Sequence, residues 1–258
     1  MGLADGLRPD QVRPYYTGMQ LLDSLIGRMT GVPALPYKRS EEAGWDHLWT
    51  KYFVREPSQR KHQSELTLPE LPADRDAMIE SLYLQAPPED IREQTVIEVG
   101  SGAGFLAKCI AAHTKLYIGV EWSGLALSVA RETCPHNAAF YHALQRQEVR
   151  KHAGTVDTAL CRHFIIHQRF DRALAVLTFD AAMLRPGGRV YADFWLDDFS
   201  RHDGKGVWAC HAQGPVNNAV YRYTDDDVEQ LAKRTGLEIE DVYDRPDKLR
   251  RFVTFRKP

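Results

Sequence analysis

The sequence predicts an α/β fold, a doubly wound and mostly parallel sheet with helices on both faces. Three observations lead to this prediction. From residue 95 onward, short runs of β-branched and aromatic residues alternate with segments of helical character. The first run leads into a helix through three glycines within five positions, Gly100, Gly102 and Gly104. A Pro-Gly-Gly turn at residues 186–188 closes one helix and enters another strand, as a βα repeat requires.

Seven strands and five helices follow from these patterns in the part of the chain after residue 94. The strands are predicted at residues 95–99, 116–120, 139–142, 156–160, 189–194, 238–243 and 251–256. The helices are predicted at residues 103–112 and 124–133, within 145–153, and at 171–184 and 225–235. Thr224 is predicted to cap the last helix and Gly236 to end it.

The N-terminal part has a different character. An amphipathic helix is predicted over residues 16–29, and an aromatic segment follows over residues 37–53. The polar run 59–65 indicates a loop, and a second helix is predicted over residues 74–85, between prolines. We therefore expect residues 1–74 to form a helical, aromatic-rich extension or lid, and residues 75–258 to form the main domain.

Composition narrows the class of protein. The 33 Lys and Arg residues nearly balance the 35 Asp and Glu residues, so neither a nucleic acid nor a membrane surface is an expected partner. No apolar run reaches the roughly 18 residues of a membrane span. The cysteines contain no C-x-x-C pair, which favours reduced thiols in a cytoplasmic protein over a disulfide framework or a zinc site. They are Cys109, Cys134, Cys161 and Cys210.

The glycine-rich turn is the main candidate for a ligand site, because a helix N-terminus presents N–H groups and glycine lets a ligand approach the backbone. A dinucleotide fingerprint, G-x-G-x-x-G, would place its third glycine where Phe105 stands. Glu98 lies two positions before Gly100. A carboxylate there suits a zwitterionic or cationic ligand better than a pyrophosphate.

Glu98-x-Gly100-x-Gly102-x-Gly104 resembles the first motif of the class I S-adenosylmethionine-dependent methyltransferases, whose fold is Rossmann-like with a seven-stranded sheet. The resemblance implies that S-adenosyl-L-methionine is the cofactor. It also implies that this loop, including Ser101, holds the methionyl part. Glu98 could instead bond only to the loop backbone.

Three further segments extend the resemblance. Glu121, 21 residues after Gly100, matches the acid that grips both ribose hydroxyls, and Trp122 matches the adenine-packing position. Helix capping by Glu121 and simple packing of Trp122 are the alternatives. Residues 156–167 resemble the fourth strand and its loop, which brings Cys161 among the expected cofactor contacts, and residues 184–193 resemble the fifth strand. The acid often found after the third strand is absent, and His142 or Gln145 would have to substitute for it.

Catalytic and substrate contacts are predicted from position. His163 and His167 are candidates for a general base, with packing as the alternative, and the zincin pattern fails between them, so no metal site is predicted. Substrate contacts are predicted at Asp193, on the carboxyl edge of the sheet, and in the aromatic segment, at Tyr37, Trp45 and Trp49. Asp193 could also cap a turn, and the aromatic residues could simply pack on the core. The basic stretch Arg245, Lys248, Arg250 and Arg251 is predicted to be a solvated surface.

These observations predict an enzyme that transfers a methyl group to an oxygen or nitrogen atom of a small-molecule metabolite or natural product. The alternatives are a protein or nucleic-acid methyltransferase, a nicotinamide-dependent oxidoreductase and an inactive partner subunit. A small molecule is the expected partner, with no nucleic acid and no membrane, and a homodimer is left open.

Overall fold

The computed structural model describes residue 27 and residues 31–54, 68–196, 208–209, 221–245 and 250–258. The helix predicted over residues 16–29 therefore lies outside the described residues, apart from Gly27. The described helices are α1 Arg39–Phe53, α2 Arg75–Leu82, α3 Phe105–Ile110, α4 Gly124–Thr133, α5 Arg146–Arg150, α6 Phe170–Met183 and α7 Asp225–Thr235. The described 3₁₀ helices are Pro88–Asp90, Ala111–His113 and Ile165–His167.

The described strands are β1 Thr95–Val99, β2 Leu116–Glu121, β3 Ala138–His142, β4 Val156–Cys161, β5 Leu184–Leu196, β6 Trp208–Ala209, β7 Tyr221–Tyr223, β8 Glu238–Arg245 and β9 Arg250–Arg256. The first five are parallel, in the order β3-β2-β1-β4-β5. β9 pairs antiparallel with β5, and β8 pairs antiparallel with β9. The short β6 and β7 join at the end of β5.

This topology confirms the predicted mostly parallel, doubly wound α/β fold. All seven predicted strands are present, and β6 and β7 add to them. The chain extends from β1 through β2 to β3 on one side, then returns to place β4 and β5 on the other side. Open sheets of this kind bind ligands outside the carboxyl ends of the strands at such a reversal, here between β1 and β4.

Helices cover both faces of the sheet because neighbouring side chains of a strand point to opposite faces. On β1, Ile97 and Val99 belong to the apolar cluster that contains α6 and α7 residues. Val96 precedes Ile97 and points to the opposite face of the sheet, and it belongs to the cluster that contains residues of α2 and α3. Each of these side chains is fully buried, as expected for a parallel sheet covered on both sides.

The predicted ends of the last helix are also found. Thr224 and Asp227 form a capping box at the start of α7, and Gly236 ends the helix in the left-handed conformation, at φ 73°. None of the described helices has both the length and the apolar character needed to cross a bilayer.

Candidate active site

A cavity of about 450 Å³ lies at the carboxyl ends of β1, β2 and β4, within the usual size range of small-molecule sites. The structure brings ten of the predicted site residues together on its wall. They are Trp45, Trp49, Glu98, Gly100, Ser101, Gly102, Glu121, Trp122, His163 and His167. Gly104, Cys161, Tyr37 and Asp193 lie outside this wall.

The glycine loop needs glycine for two different reasons. Gly102 has φ 54°, and a Cβ atom there would lie 2.8 Å from the ring of Trp49. The backbone at Gly102 therefore closely approaches the tryptophan that lines the opposite side of the cavity. Gly104 has φ 75°, and a Cβ atom there would overlap the sulfur of Cys134. The third glycine therefore serves the packing of α3 against the end of α4, which explains its place outside the cavity wall.

Glu121 ties the glycine loop to the end of β2. Its Oε2 accepts from the backbone N–H of Gly102 at 2.7 Å. Its Oε1 accepts from the N–H groups of Trp122 and Ser123 at 2.7 and 2.8 Å. Burial raises the pKa of Glu121, and the three N–H bonds oppose that rise only in part. Because a carboxylate has about four acceptor sites, three backbone bonds leave room for a ligand hydroxyl. The cap of α4 is the Ser123 hydroxyl, which accepts from Ala126 N–H.

Glu98 is almost fully buried beneath the same loop. Its carboxyl group accepts a hydrogen bond from the hydroxyl of Tyr117. Burial is the main cause that raises the pKa of Glu98 to about 7, while the charge of Arg162 and the Tyr117 bond oppose the rise. A cationic ligand in the cavity would favour the charged form of this acid.

Helix α1 covers the glycine loop and is hydrogen-bonded to the start of α4. Asp46 Oδ1 accepts from the Ser123 hydroxyl at 2.5 Å and from Leu125 N–H at 3.1 Å, so α1 supplies part of the N-terminal cap of α4. Trp49 lies over Gly102, and the ring of Trp45 meets that of His167 edge-on, with centroids 5.4 Å apart.

A second attachment of α1 involves Tyr37. Its hydroxyl donates to Glu42, whose Oε1 lies 3.4 Å from His142 Nε2. Burial alone would raise the pKa of Glu42, but the hydrogen bonds from His142 and Tyr37 outweigh it and lower the pKa. Tyr37 thus lies outside the cavity, where it holds the segment before α1, and its predicted substrate contact has no support from this position.

Trp122 links the segment before α1 to Phe164, which follows β4. Its Nε1 donates to the carbonyl oxygen of Pro36 at 2.8 Å. Its ring stacks on Phe164, with centroids 5.1 Å apart and planes 24° apart. A buried indole whose N–H is bonded to the chain presents the rest of its ring to the cavity, which suits the predicted contact with a flat base.

His163 is held by β5 and β9. Its backbone N–H donates to Asp193 Oδ1 at 2.6 Å, and its Nδ1 lies 2.8 Å from a guanidinium nitrogen of Arg250. Arg250 and Asp193 also form an ion pair at 3.0 Å. Burial raises the pKa of Asp193, although the charge of Arg250 opposes it. Asp193 therefore lies behind the cavity wall, as a support for His163.

The prediction of a solvated basic surface is wrong for Arg245 and Arg250. Both side chains are buried, and both guanidinium groups lie over the ring of Tyr83, at 4.9 and 5.9 Å from its centroid. Arg250 is buried because it is paired with Asp193. Arg251 is paired with Asp225 and Asp244, and Lys248 lies outside the described residues.

Cys161 is placed inside the protein and away from the cavity wall. It is fully buried among the residues that pack against α6, and its thiol donates to Asp180 Oδ2 at 3.1 Å. The physical reason is the alternation of side chains along β4, which directs this thiol to the α6 face. The thiol of Cys161 thus has a packing role, and its predicted cofactor contact has no support from this position.

Sequence reasoning missed four residues of the wall: Tyr83, Phe105, Arg162 and Phe164. Arg162 and Phe164 flank His163, so the resemblance of that loop could have included them. Tyr83 follows α2 with a left-handed backbone, at φ 52°, and no local pattern in the sequence indicates its role. Within the described residues, no cluster of three or more His, Cys, Asp or Glu side chains could hold a metal ion.

Comparisons with known proteins extend this description. Residues 72–242 match the model of a family described as a methyltransferase domain. A curated relative, the ubiquinone biosynthesis O-methyltransferase of Aromatoleum aromaticum, is 31% identical over 99 residues. That match covers 37% of this chain and only 42% of the relative, so less than half of the relative's length is matched.

Two solved structures share the fold. The magnesium protoporphyrin IX methyltransferase of Synechocystis PCC 6803, with bound SAH, is 17% identical, with a TM-score of 0.53, over 84% of this chain and 96% of that chain. The 1,6-didemethyltoxoflavin-N1-methyltransferase of Burkholderia thailandensis, with bound 1,6-didemethyltoxoflavin and S-adenosylhomocysteine, is 19% identical. Its TM-score is 0.53, over 88% of this chain and 93% of that chain.

Proposed function

This chain belongs to the methyltransferase domain family, and on this premise we propose that it transfers the methyl group of S-adenosyl-L-methionine to an oxygen or nitrogen atom of a small molecule. One observation carries the proposal. The glycine loop after β1 and the acid at the end of β2 lie on the wall of one cavity, at the point where the strand order reverses.

The chemistry of the wall fits the cofactor. Ser101 has a buried hydroxyl oxygen without a hydrogen-bond partner among the described residues, and it lies on the wall. An unpaired buried hydroxyl is costly, so a polar ligand group there would stabilise the site. Glu121 would accept from a ribose hydroxyl, Trp122 would contact the adenine, and Glu98 with the glycine loop would face the cationic methionyl part.

The chemical role of this chain's own residues in the transfer is then limited. When bound, S-adenosyl-L-methionine supplies a methyl group on a positively charged sulfur, which is already a good electrophile. The wall has to align the acceptor atom with that methyl group and exclude water. Trp45 and Trp49 would exclude water on the side covered by α1, since both line the cavity from that helix.

A small molecule is the acceptor that the observations favour. The aromatic wall, formed in part by Trp45, Trp49 and Tyr83, suits a compact ring compound. The curated relative is named for ubiquinone biosynthesis, which also concerns a small molecule. A nucleic-acid substrate would need an exposed basic surface, and two arginines of the expected surface, Arg245 and Arg250, are buried.

Calorimetric titration tests the cofactor assignment. S-adenosylhomocysteine and S-adenosylmethionine are expected to bind, and NADH, titrated in parallel, is expected not to. Binding of NADH alone would overturn the proposal in favour of an oxidoreductase. For the acceptor, we expect methyl-labelled S-adenosylmethionine to label the small-molecule fraction of a cell extract. Label confined to the protein or nucleic-acid fraction would overturn the small-molecule assignment.

Three expectations remain proposals. They are a cytoplasmic location, a homodimer and the division of the chain at residues 74 and 75.

A further inference from the structure

The protonation of His163 can be read from its partner. A guanidinium nitrogen of Arg250 lies 2.8 Å from His163 Nδ1. Because an arginine side chain carries only donors, Nδ1 must accept this hydrogen bond and cannot carry a proton. The single N–H of the neutral ring is therefore on Nε2.

The surroundings of His163 hold the ring in this state. Asp193 Oδ1 accepts from the His163 backbone N–H at 2.6 Å, and the backbone is left-handed, at φ 54°. The same aspartate pairs with Arg250 at 3.0 Å, and the two side chains are only 1% and 8% exposed. The ring of Tyr83 packs on His163, with centroids 5.4 Å apart. Backbone, ion pair and ring thus fix both the position and the tautomer.

A histidine fixed in this way cannot serve as a general base. To take a proton from a hydroxyl or an amine, its Nε2 would have to be unprotonated, because Nδ1 is held by Arg250. A second proton on the ring would have to sit on Nδ1, directly against the positive charge of Arg250. His163 can donate a hydrogen bond, and that is the chemistry this geometry leaves to it.

We infer that His163 donates from Nε2 to an anionic oxygen of the methyl acceptor, and that Arg250 and Asp193 are the positioning residues that keep it a donor. This inference rests on the proposed function and names its substrate class, a small molecule with a carboxylate or phenolate oxygen. Arg162, on the same wall, adds positive charge beside His163.

Such an acceptor has no need of a base. An oxyanion has no proton to lose, and its lone pair forms the new bond to the methyl carbon as the bond between that carbon and the sulfur breaks. The negative oxygen and the positive sulfur both become neutral. A carboxylate can offer one oxygen to His163 and the other to the methyl group.

Nitrogen-15 NMR of the histidine rings tests the tautomer in the ligand-free native chain and, in parallel, after addition of S-adenosylhomocysteine. The signals of His163 are assigned by their loss in His163→Gln. We expect a neutral ring with its proton on Nε2 in the native chain, and a mixture of tautomers in Arg250→Met. Arg250→Lys, which keeps a donor and a charge, should restore the Nε2 form in part. A proton on Nδ1 in the native chain would overturn the inference, and this measurement decides it even if Arg250→Met does not fold.

Binding of benzoate and benzamide to the same complex tests the substrate class. We expect benzoate to bind about tenfold more tightly, as a charged hydrogen bond allows. His163→Gln keeps an N–H donor and should keep part of this preference, whereas His163→Phe should lose it. Equal binding of the two probes, or binding of neither, would overturn the anionic acceptor. Failure of S-adenosylhomocysteine to bind the native chain would instead overturn the proposed function and leave the tautomer result standing.

Discussion

The carboxylate of Glu121 has two roles in this site. It fixes the glycine loop through three backbone N–H groups, and one of these belongs to Gly102, directly beneath Trp49. It also lies on the cavity wall, where a ribose would bind. Loss of this carboxylate therefore affects both the shape of the loop and the ligand.

Glu121→Ala is expected to weaken the binding of S-adenosylhomocysteine by about 1–3 kcal/mol, because charged hydrogen bonds to the ligand are lost. Isothermal titration calorimetry measures the change. Glu132→Ala, on the exposed side of the following helix, is the matched control and should bind as the native chain does. A folded Glu121→Ala variant with an unchanged dissociation constant would remove Glu121 from the cofactor site.

At this scale, motif spacing predicted much of the wall because each motif residue sits at a strand end. The contact between His163 and Arg250 could not be predicted in this way, since 87 residues separate them and β9 returns antiparallel to β5. The direction of the Cys161 side chain could not be predicted for another reason. A strand buried on both faces has no polar alternation, so the sequence does not indicate which face a given side chain takes.

Helix α1 is the element that joins the N-terminal segment to the glycine loop. Asp46 accepts from Ser123 and Leu125 at the start of α4, so the N-terminus of one helix is capped from another. Side-chain capping oxygens stabilise helix ends by about 1 kcal/mol. The position of α1 over the cavity therefore depends on a bond that can be tested alone.

Asp46→Ala should lower the free energy of unfolding by about 1–2 kcal/mol, because the Leu125 N–H and the Ser123 hydroxyl lose their acceptor. Asp46→Asn keeps an acceptor oxygen at the same place and should cost less than half as much. Urea unfolding curves compare the two variants. Equal stability of the alanine and asparagine variants would show that the hydrogen bonds to Asp46 do not anchor α1.

The sheet and its covering helices were predictable because their apolar patterns have a clear period and their ends carry turn residues. The aromatic segment that forms α1 has no such periodic apolar pattern. Its aromatic residues, Trp49 among them, pack on Phe105 and the loop rather than on a continuous core. The short β6 and β7 have two and three residues, which is too few for any alternation to be recognised.

For the molecule as a whole, buried acids set the dependence of stability on pH. Burial raises the pKa of Asp180 from an ordinary 3.8 to about 7, and that of Glu98 from 4.5 to about 7. Between these values the folded protein binds more protons than the unfolded chain. The contribution of these two acids to stability is therefore fully present below about pH 4 and is lost as the pH rises through about 7.

Asp180→Asn should reduce this fall. Between about pH 5.5 and pH 8, the native chain should lose about 2 kcal/mol more of its free energy of unfolding than the variant, because the side chain at position 180 of the variant has no proton to lose. Urea unfolding at both pH values measures the difference. Glu132→Gln, an exposed acid changed in the same way, should follow the native curve. Parallel curves for the native chain and Asp180→Asn would contradict the prediction.

The distribution of tryptophan has a practical consequence. Three of the five tryptophans, Trp45, Trp49 and Trp122, line the cavity. Trp45 and Trp49 reach the cavity from α1, and Trp122 reaches it from the end of β2. A flat ligand would lie against several of these indole rings at once. Three of the five indole emitters therefore lie beside the candidate ligand site, so ligand binding should change the tryptophan emission. The unlabelled chain carries its own optical reporter, and a search for acceptors can proceed by fluorescence.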